Sequence, residues 1–306
     1  MKKLLRIGRM MLVAFSFLSC YSAQAALYTM ADATSVKDYK DWQDGAATLH
    51  SKATSAGINS ITVQESIASY GVLKTYSSAQ SGELYGIGGW ASAGWSDRIT
   101  MNNEALTGKH GVLVLNFSYT DQVAAYSEPN GKYVSGFYNN QVDVLSSNKS
   151  YHAEIQHTIS SANGNSNFPF RGSVSDFAGQ RTLQPNLISM VIDFVWGESF
   201  LLAQTASTDC NVGYTLSEPF ASCAADSFHS SYWAGISDVS TDGLAVSSFT
   251  ISAASGTDYS RSFVPLPVPE PGSLYLMLAG MAFTVLRLTL KRARHTSQFY
   301  FIRLGS

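Results

Sequence analysis

From about residue 58 to residue 253 the chain repeats one pattern: a run of strand length, then a turn. The runs alternate apolar with polar residues, or carry apolar and β-branched residues together. They are Ile58 to Ile67, Gly111 to Thr120, Lys132 to Phe137, Gln141 to Leu145, Tyr151 to Ile159, Leu187 to Val195, Ser199 to Thr205 and Leu244 to Ala253. A two-residue period puts alternate side chains on opposite faces of a pleated ribbon, so each run buries one face and solvates the other. Pro129-Asn130-Gly131, Asn163-Gly164-Asn165, Trp196-Gly197-Glu198 and Thr241-Asp242-Gly243 supply residues that reverse the chain at low cost. No stripe of helical period appears outside the two termini. Half-buried strands must close against one another, so the pattern predicts an all-β, antiparallel two-sheet sandwich, jelly-roll and lectin-like.

The termini differ from this middle. Lys2, Lys3, Arg6 and Arg9 precede an apolar stretch from Met10 to Leu18, and Ala23-Gln24-Ala25 follows as an A-x-A site. This order predicts a secretory signal peptide over residues 1–25, cut between Ala25 and Ala26. Cys20 stands in Phe17-Leu18-Ser19-Cys20, which fits a lipidation box poorly beside that site. At the other end, a Pro-rich linker over residues 264–268 leads into Pro269-Glu270-Pro271. An apolar run from Leu274 to Leu286 comes next, then Arg287, Lys291, Arg292 and Arg294. Proline cannot continue a helix, which leaves the Pro-Glu-Pro segment extended ahead of the apolar run. That run reaches spanning length only when Leu288 and Leu290 are included and Arg287 and Lys291 snorkel. The basic cluster then stays in the cytoplasm, and everything before the span faces outward. The expected division is signal peptide 1–25, β-sandwich ectodomain 26–263, linker 264–268, sorting and anchor segment 269–294, and a short cytoplasmic tail 295–306.

Charge follows the same division. Of 20 Lys and Arg, four precede Ala26 and five follow Pro271, so eleven remain in the exported stretch against all 22 acidic residues, a net charge near −11. A surface of that sign repels nucleic acid and anionic lipid. Divalent cations or a hydrated polysaccharide matrix suit it better.

The ordered sequence Val-Pro-Glu-Pro, apolar helix, Arg-rich end resembles the PEP-CTERM sorting signal of Gram-negative bacteria. The resemblance implies recognition by an exosortase, a membrane-embedded cysteine peptidase, with the sorting motif on Pro269, Glu270 and Pro271 and the basic stop on Arg292 and Arg294. It implies transient membrane anchoring through the C-terminal transmembrane helix, then release to the cell surface or exterior. The chain departs from the pattern by continuing from His295 to Ser306. Asp193 to Phe200 is similar to the paired strands with a central Gly turn in jelly-roll domains that carry this signal. Asp242 to Val246, Phe249 to Ile251 and Ser255 to Ser260 are similar to the final strands of those domains.

Candidate chemistry is sparse. Two cysteines survive leader removal, and export to an oxidising compartment favours a Cys210–Cys223 disulfide. His152, Glu154 and His157 form the single His/Glu cluster; on a strand the first two share a face and the third points away, so they do not converge on one metal. A structural Ca²⁺ is compatible with the Asp- and Asn-bearing turns, Asp238, Asp242, Asp258, Asn163, Asn165 and Asn167, but no loop of calcium-binding spacing identifies a ligand set. Glu154, Asp193 and Glu198 are carboxylates of the type glycosidases use, without a spacing that pairs them. No Gly-x-Ser-x-Gly elbow occurs. Trp90 and Trp95, in Gly88-Gly89-Trp90 and Gly94-Trp95, offer a glycan platform on a loop, because indole faces stack on sugar rings. The expectation is a non-catalytic structural or adhesive protein without a cofactor. A carbohydrate-binding module of the exopolysaccharide matrix is the alternative, with a glycan hydrolase behind it.

Overall fold

The computed structural model describes residues 25–265, apart from 83–84, 121, 128–132, 162–180, 185 and 214–219. The sorting motif Pro269-Glu270-Pro271, the apolar run after it, the tail and the leader up to residue 24 lie outside the described residues. So do the turn signals at 129–131 and 163–165. Among the described residues no helix is long and apolar enough to cross a membrane.

The chain is all-β, built as two antiparallel sheets in a sandwich-like arrangement. The first sheet runs β10 (Lys149–Ser161), β9 (Val134–Ser146), β13 (Ser199–Val212), β6 (Ile87–Asn102), β1 (Ala25–Ala33) and β2 (Val36–Asp44). Beside that path, β16 (Thr250–Ala253) pairs with β6. The second sheet runs β11 (Arg181–Gln184), β12 (Leu187–Val195), β7 (His110–Tyr119), β14 (Ala221–Thr241), β5 (Val72–Ser81), β4 (Ser60–Ser69) and β3 (Leu49–Ala56). The short strands β8 (Gln122–Ser127) and β15 (Leu244–Ala245) both pair with β14.

Where hydrophobicity alternates, burial alternates with it. In β12, Ile188, Met190, Ile192 and Phe194 are buried while the residues between them are half-exposed. The expected runs at 132–137 and 141–145 prove to be one strand, β9, because the amides of Asn139 and Asn140 do not interrupt the ladder. The expected strand from Leu244 to Ala253 divides into β15 and β16, which belong to different sheets. Trp196-Gly197-Glu198 is a turn, with Gly197 at φ 83°. It does not close a hairpin of paired strands, however, since it carries the chain from β12 in one sheet to β13 in the other.

Apolar clusters and buried hydroxyl pairs share the space between the sheets. In the main apolar cluster, Trp95, Trp196 and Trp233 are fully buried, and Tyr259 packs edge-on to Trp233 at 5.4 Å between ring centroids. Elsewhere hydroxyls bond from sheet to sheet. Thr29 of β1 pairs with Ser51 of β3 at 2.8 Å, Ser77 of β5 with Thr208 of β13 at 2.9 Å, and Tyr138 of β9 with Ser231 of β14 at 3.2 Å. Burying a hydroxyl costs free energy unless its hydrogen bond is made, and these cross-sheet pairs make it while fixing the two sheets in register. Cys210 of β13 and Cys223 of β14 form a disulfide, with Cα atoms 5.8 Å apart, that joins the sheets covalently.

Candidate functional site

Strand register places Trp90 on the outer face of the first sheet. In β6 the odd positions Ala93, Trp95, Ile99 and Met101 enter the core, so the even ones face out. Trp90 stands opposite Asp209 of β13 on one side and Asp32 of β1 on the other, and Asp209 stands opposite Phe137 of β9. With two strand spacings between them, Trp90 and Phe137 are about 10 Å apart across the sheet. Tyr39 of β2, 46 % exposed, donates its hydroxyl to Asp32 at 2.9 Å, and the Lys37 ammonium lies 3.1 Å from the same carboxylate. Asn211 donates to Asp209. The row therefore offers aromatic edges or faces beside two carboxylates already oriented by neighbours, a combination that can meet both the apolar and the hydroxylated sides of a sugar ring.

Trp95 does not join this row. Strand positions five apart point to opposite faces, so the segment that carries Trp90 outward carries Trp95 inward. Its side chain is 0 % exposed, its indole Nε1 donates to Gln204 Oε1 at 3.1 Å, and its ring lies 5.8 Å from that of Tyr259. The expectation of a two-tryptophan platform on a loop is corrected accordingly. Gly88 to Trp95 lies in the first half of a central strand, paired with β13 throughout and with β1 from Gly89 on, and Trp90 alone of the two lies on a face directed to solvent.

The His/Glu cluster lies further along the same outer face. His152 of β10 is opposite Asp143 of β9, with Nδ1 to Oδ1 at 2.7 Å, and its Nε2 is 4.0 Å from Glu154. Gln141 donates to Asp143 at 2.6 Å and Gln156 to Glu154 at 2.7 Å, which holds both carboxylates in place. Asp143 first, and Glu154 second, favour the protonated imidazole and raise the His152 pKa to about 9. This is a charge-paired imidazolium rather than a metal ligand. No group of three His, Cys, Asp or Glu placed to hold a metal occurs among the described residues. Of the turn acids considered for Ca²⁺, Asp258 accepts from the Ser260 amide at 3.1 Å and lies 3.8 Å from Arg261. Asn163, Asn165 and Asn167 are outside the described residues. The three carboxylates considered for hydrolysis sit on separate elements. Glu154 is on the outer face of the first sheet, Asp193 is on β12 where it accepts from Lys149 at 2.5 Å and Tyr151 at 3.2 Å, and Glu198 is in the following turn.

A second locus lies where the chain enters β1. A cleft of about 650 Å³ is lined by Ala25, Asp44, Tyr70, Ala254, Ser255 and Thr257, among others. Behind its wall is Asp97, 0 % exposed, directly opposite Ala25 in the β1–β6 register. The Ser255 amide donates to Asp97 Oδ1 at 3.1 Å and the Ser255 hydroxyl to Oδ2. Burial pushes the Asp97 carboxyl above its ordinary range, against those hydrogen bonds. The Tyr70 hydroxyl is pushed up to about 12, first by burial and then by the charges of Asp97 and Asp44. The sequence held a signal for Asp97: Trp95, Asp97, Ile99 and Met101 share the inward period, which puts a carboxylate in line with core residues.

Compared with protein-family models, with curated proteins and with solved structures, the chain matches none.

Proposed function

We propose that the chain is an exported envelope or extracellular-matrix protein, sorted by an exosortase through Pro269-Glu270-Pro271, whose β domain has a structural or adhesive role. The observation that carries the reading is the order of three features at the C-terminus: the Pro-Glu-Pro motif, the apolar run from Leu274 to Leu286 and the basic cluster ending at Arg294. A leader with an A-x-A site at the other end supports it, since both signals address the same membrane. The inter-sheet Cys210–Cys223 disulfide supports it too, because such bonds persist in oxidising compartments. The domain is read as a jelly roll of lectin-like type, which puts rigid, pleated faces at the disposal of a matrix. Before processing, the apolar run anchors the protein in the inner membrane; afterwards the acidic domain resides at the surface or outside the cell. Fractionation of strains with and without exosortase, with mass spectrometry of the mature C-terminus, tests this. A chain that still ends at Ser306 in both strains refutes processing at the motif.

The outer face of the first sheet favours a second reading, a carbohydrate-binding module acting on exopolysaccharide. Its support is the row formed by Trp90, Asp32, Asp209 and Phe137. Retention of the exported protein on polysaccharide, lost in Trp90→Ala, is the expected result. A wild-type protein that no glycan retains removes the reading.

A further inference from the structure

We propose that the α-ammonium created at Ala26 by leader removal becomes the counter-ion of the buried Asp97 carboxylate, so that only the processed chain completes this corner of the fold. The inference rests on the cut between Ala25 and Ala26 and deepens it by giving the new terminus a binding site. In that cut, water adds across the Ala25–Ala26 peptide bond. The C–N bond breaks, Ala25 departs with the leader as a carboxylate, and Ala26 keeps the nitrogen, protonated to an ammonium at neutral pH.

The register supplies the geometry. Ala25 is directly opposite Asp97 on β6, and both side chains lie on the inward face, because Leu27 and Trp95, two positions away on each strand, are core residues. Opposed residues in an antiparallel pair have Cα atoms about 4.5–5.5 Å apart. The Ala26 nitrogen is the atom bonded to the Ala25 carbonyl carbon, so the new cation arises within roughly one side-chain length of the Asp97 carboxylate. Removing Ala25 opens the wall of the cleft that Ala25 lines, on the side where Ser255 holds Asp97.

Energetics point the same way. Asp97 is fully buried, and no ion pair to it occurs among the described residues; the amide and hydroxyl of Ser255 donate to it, and the Tyr259 hydroxyl and the Arg98 backbone also favour its charged form, but all of these partners are neutral. A buried carboxylate without a cation is disfavoured, and burial already raises its pKa here. An ammonium held by the β1 ladder supplies the missing charge without ordering a long side chain, which is the usual entropic penalty of an ion pair. Asp44, opposite Ala26 on β2, adds a second negative charge at the same corner, and Tyr70 responds to both acids.

The test uses the full chain, exported and processed, beside a version with the dipeptide Gln-Thr inserted after Ala25. That insertion leaves the leader site intact and moves the terminus out by about 7 Å. N-terminal sequencing reads where each chain is cut. With Ala26 first, its amine is expected to react with an acylating reagent at pH 7 at least tenfold more slowly than the amine of the inserted chain, and Asp97→Asn is expected to abolish the difference. Equal labelling rates in the wild-type and inserted chains overturn the ion pair even if Asp97→Asn does not fold. A first residue other than Ala26 overturns the cut, and with it the pair, so the two failures are distinguishable.

Discussion

The Trp95 indole donates to Gln204 Oε1 at 3.1 Å, and the Gln204 amide in turn donates to Asn140 Oδ1 at 3.2 Å, so three strands of one sheet are tied by a buried polar chain starting at a tryptophan. Replacing Trp95 by Ala removes a fully buried ring and leaves the Gln204 carbonyl without its donor. The expected loss is about 3–5 kcal/mol from the cavity, with the orphaned acceptor adding to it. Trp90→Ala, on the outer face, is expected to lose no more than about 1 kcal/mol. Urea unfolding of the two variants measures both; equal losses would show that Trp90 also belongs to the core.

The contrast between these two tryptophans shows what sequence reading captured and what it missed. Strands such as β12 were legible because one face is apolar and the other is not, and the period was visible in residue type. β6 hid its period, because Gly88, Gly89, Ala91, Ser92, Ala93 and Gly94 are small on both faces. A central strand sheltered on both sides needs no alternation in polarity, and glycine and serine read as loop. β14 was missed for the same reason, since Ala221 to Ser231 is Ser- and Ala-rich. The buried hydroxyl pairs were equally illegible: Ser77 and Thr208 look like solvent-facing residues until the second sheet brings them together. The cysteine pairing was legible because Cys210 and Cys223 are the two cysteines of the stretch 26–263 and leave one intramolecular choice there.

Reduction of Cys210–Cys223 is expected to destabilise the domain without unfolding it. The bond spans 13 positions and links β13 to β14, so it constrains a short loop in the unfolded chain, and its loss is worth about 2–3 kcal/mol. The urea midpoint with and without reductant measures this, with Cys210→Ser/Cys223→Ser as the check. No change in midpoint would mean that the sheets hold that edge without it.

Gly89→Ala is expected to be far more damaging than Gly108→Ala. A Cβ at Gly89 would lie 2.2 Å from the Asp32 carbonyl oxygen and 2.5 Å from Gln64 Nε2, so β1 and β6 must part to admit it. Such overpacking costs about 1–3 kcal/mol or more. Gly108 has φ of 80° with no atom within 4 Å of an added Cβ, which leaves only the backbone penalty of about 1 kcal/mol. Thermal unfolding ranks the two, and the reverse order would refute the close approach of β1 and β6 at Asp32.

His152 sets the alkaline limit that the outer face contributes to stability. Its pKa is raised to about 9, with Asp143 as the largest cause and Glu154 next, against an ordinary value of 6.5 in the unfolded chain. A group whose pKa is higher in the folded state binds its proton more tightly there, so its contribution is fully present below pH 6.5 and is lost as pH rises towards 9. Because the imidazole is largely buried, the contribution is about 1–3 kcal/mol. Glu154 runs the opposite way: the His152 cation holds its carboxyl below the usual 4.5, so its share is present above that value and is lost as pH falls below it. Urea midpoints followed from pH 5 to pH 10 should therefore fall through the range between 6.5 and 9, and the slope should flatten in Asp143→Asn, which removes the principal cause of the shift. An Asp143→Asn profile parallel to the wild type across that range would show that the pH dependence arises elsewhere.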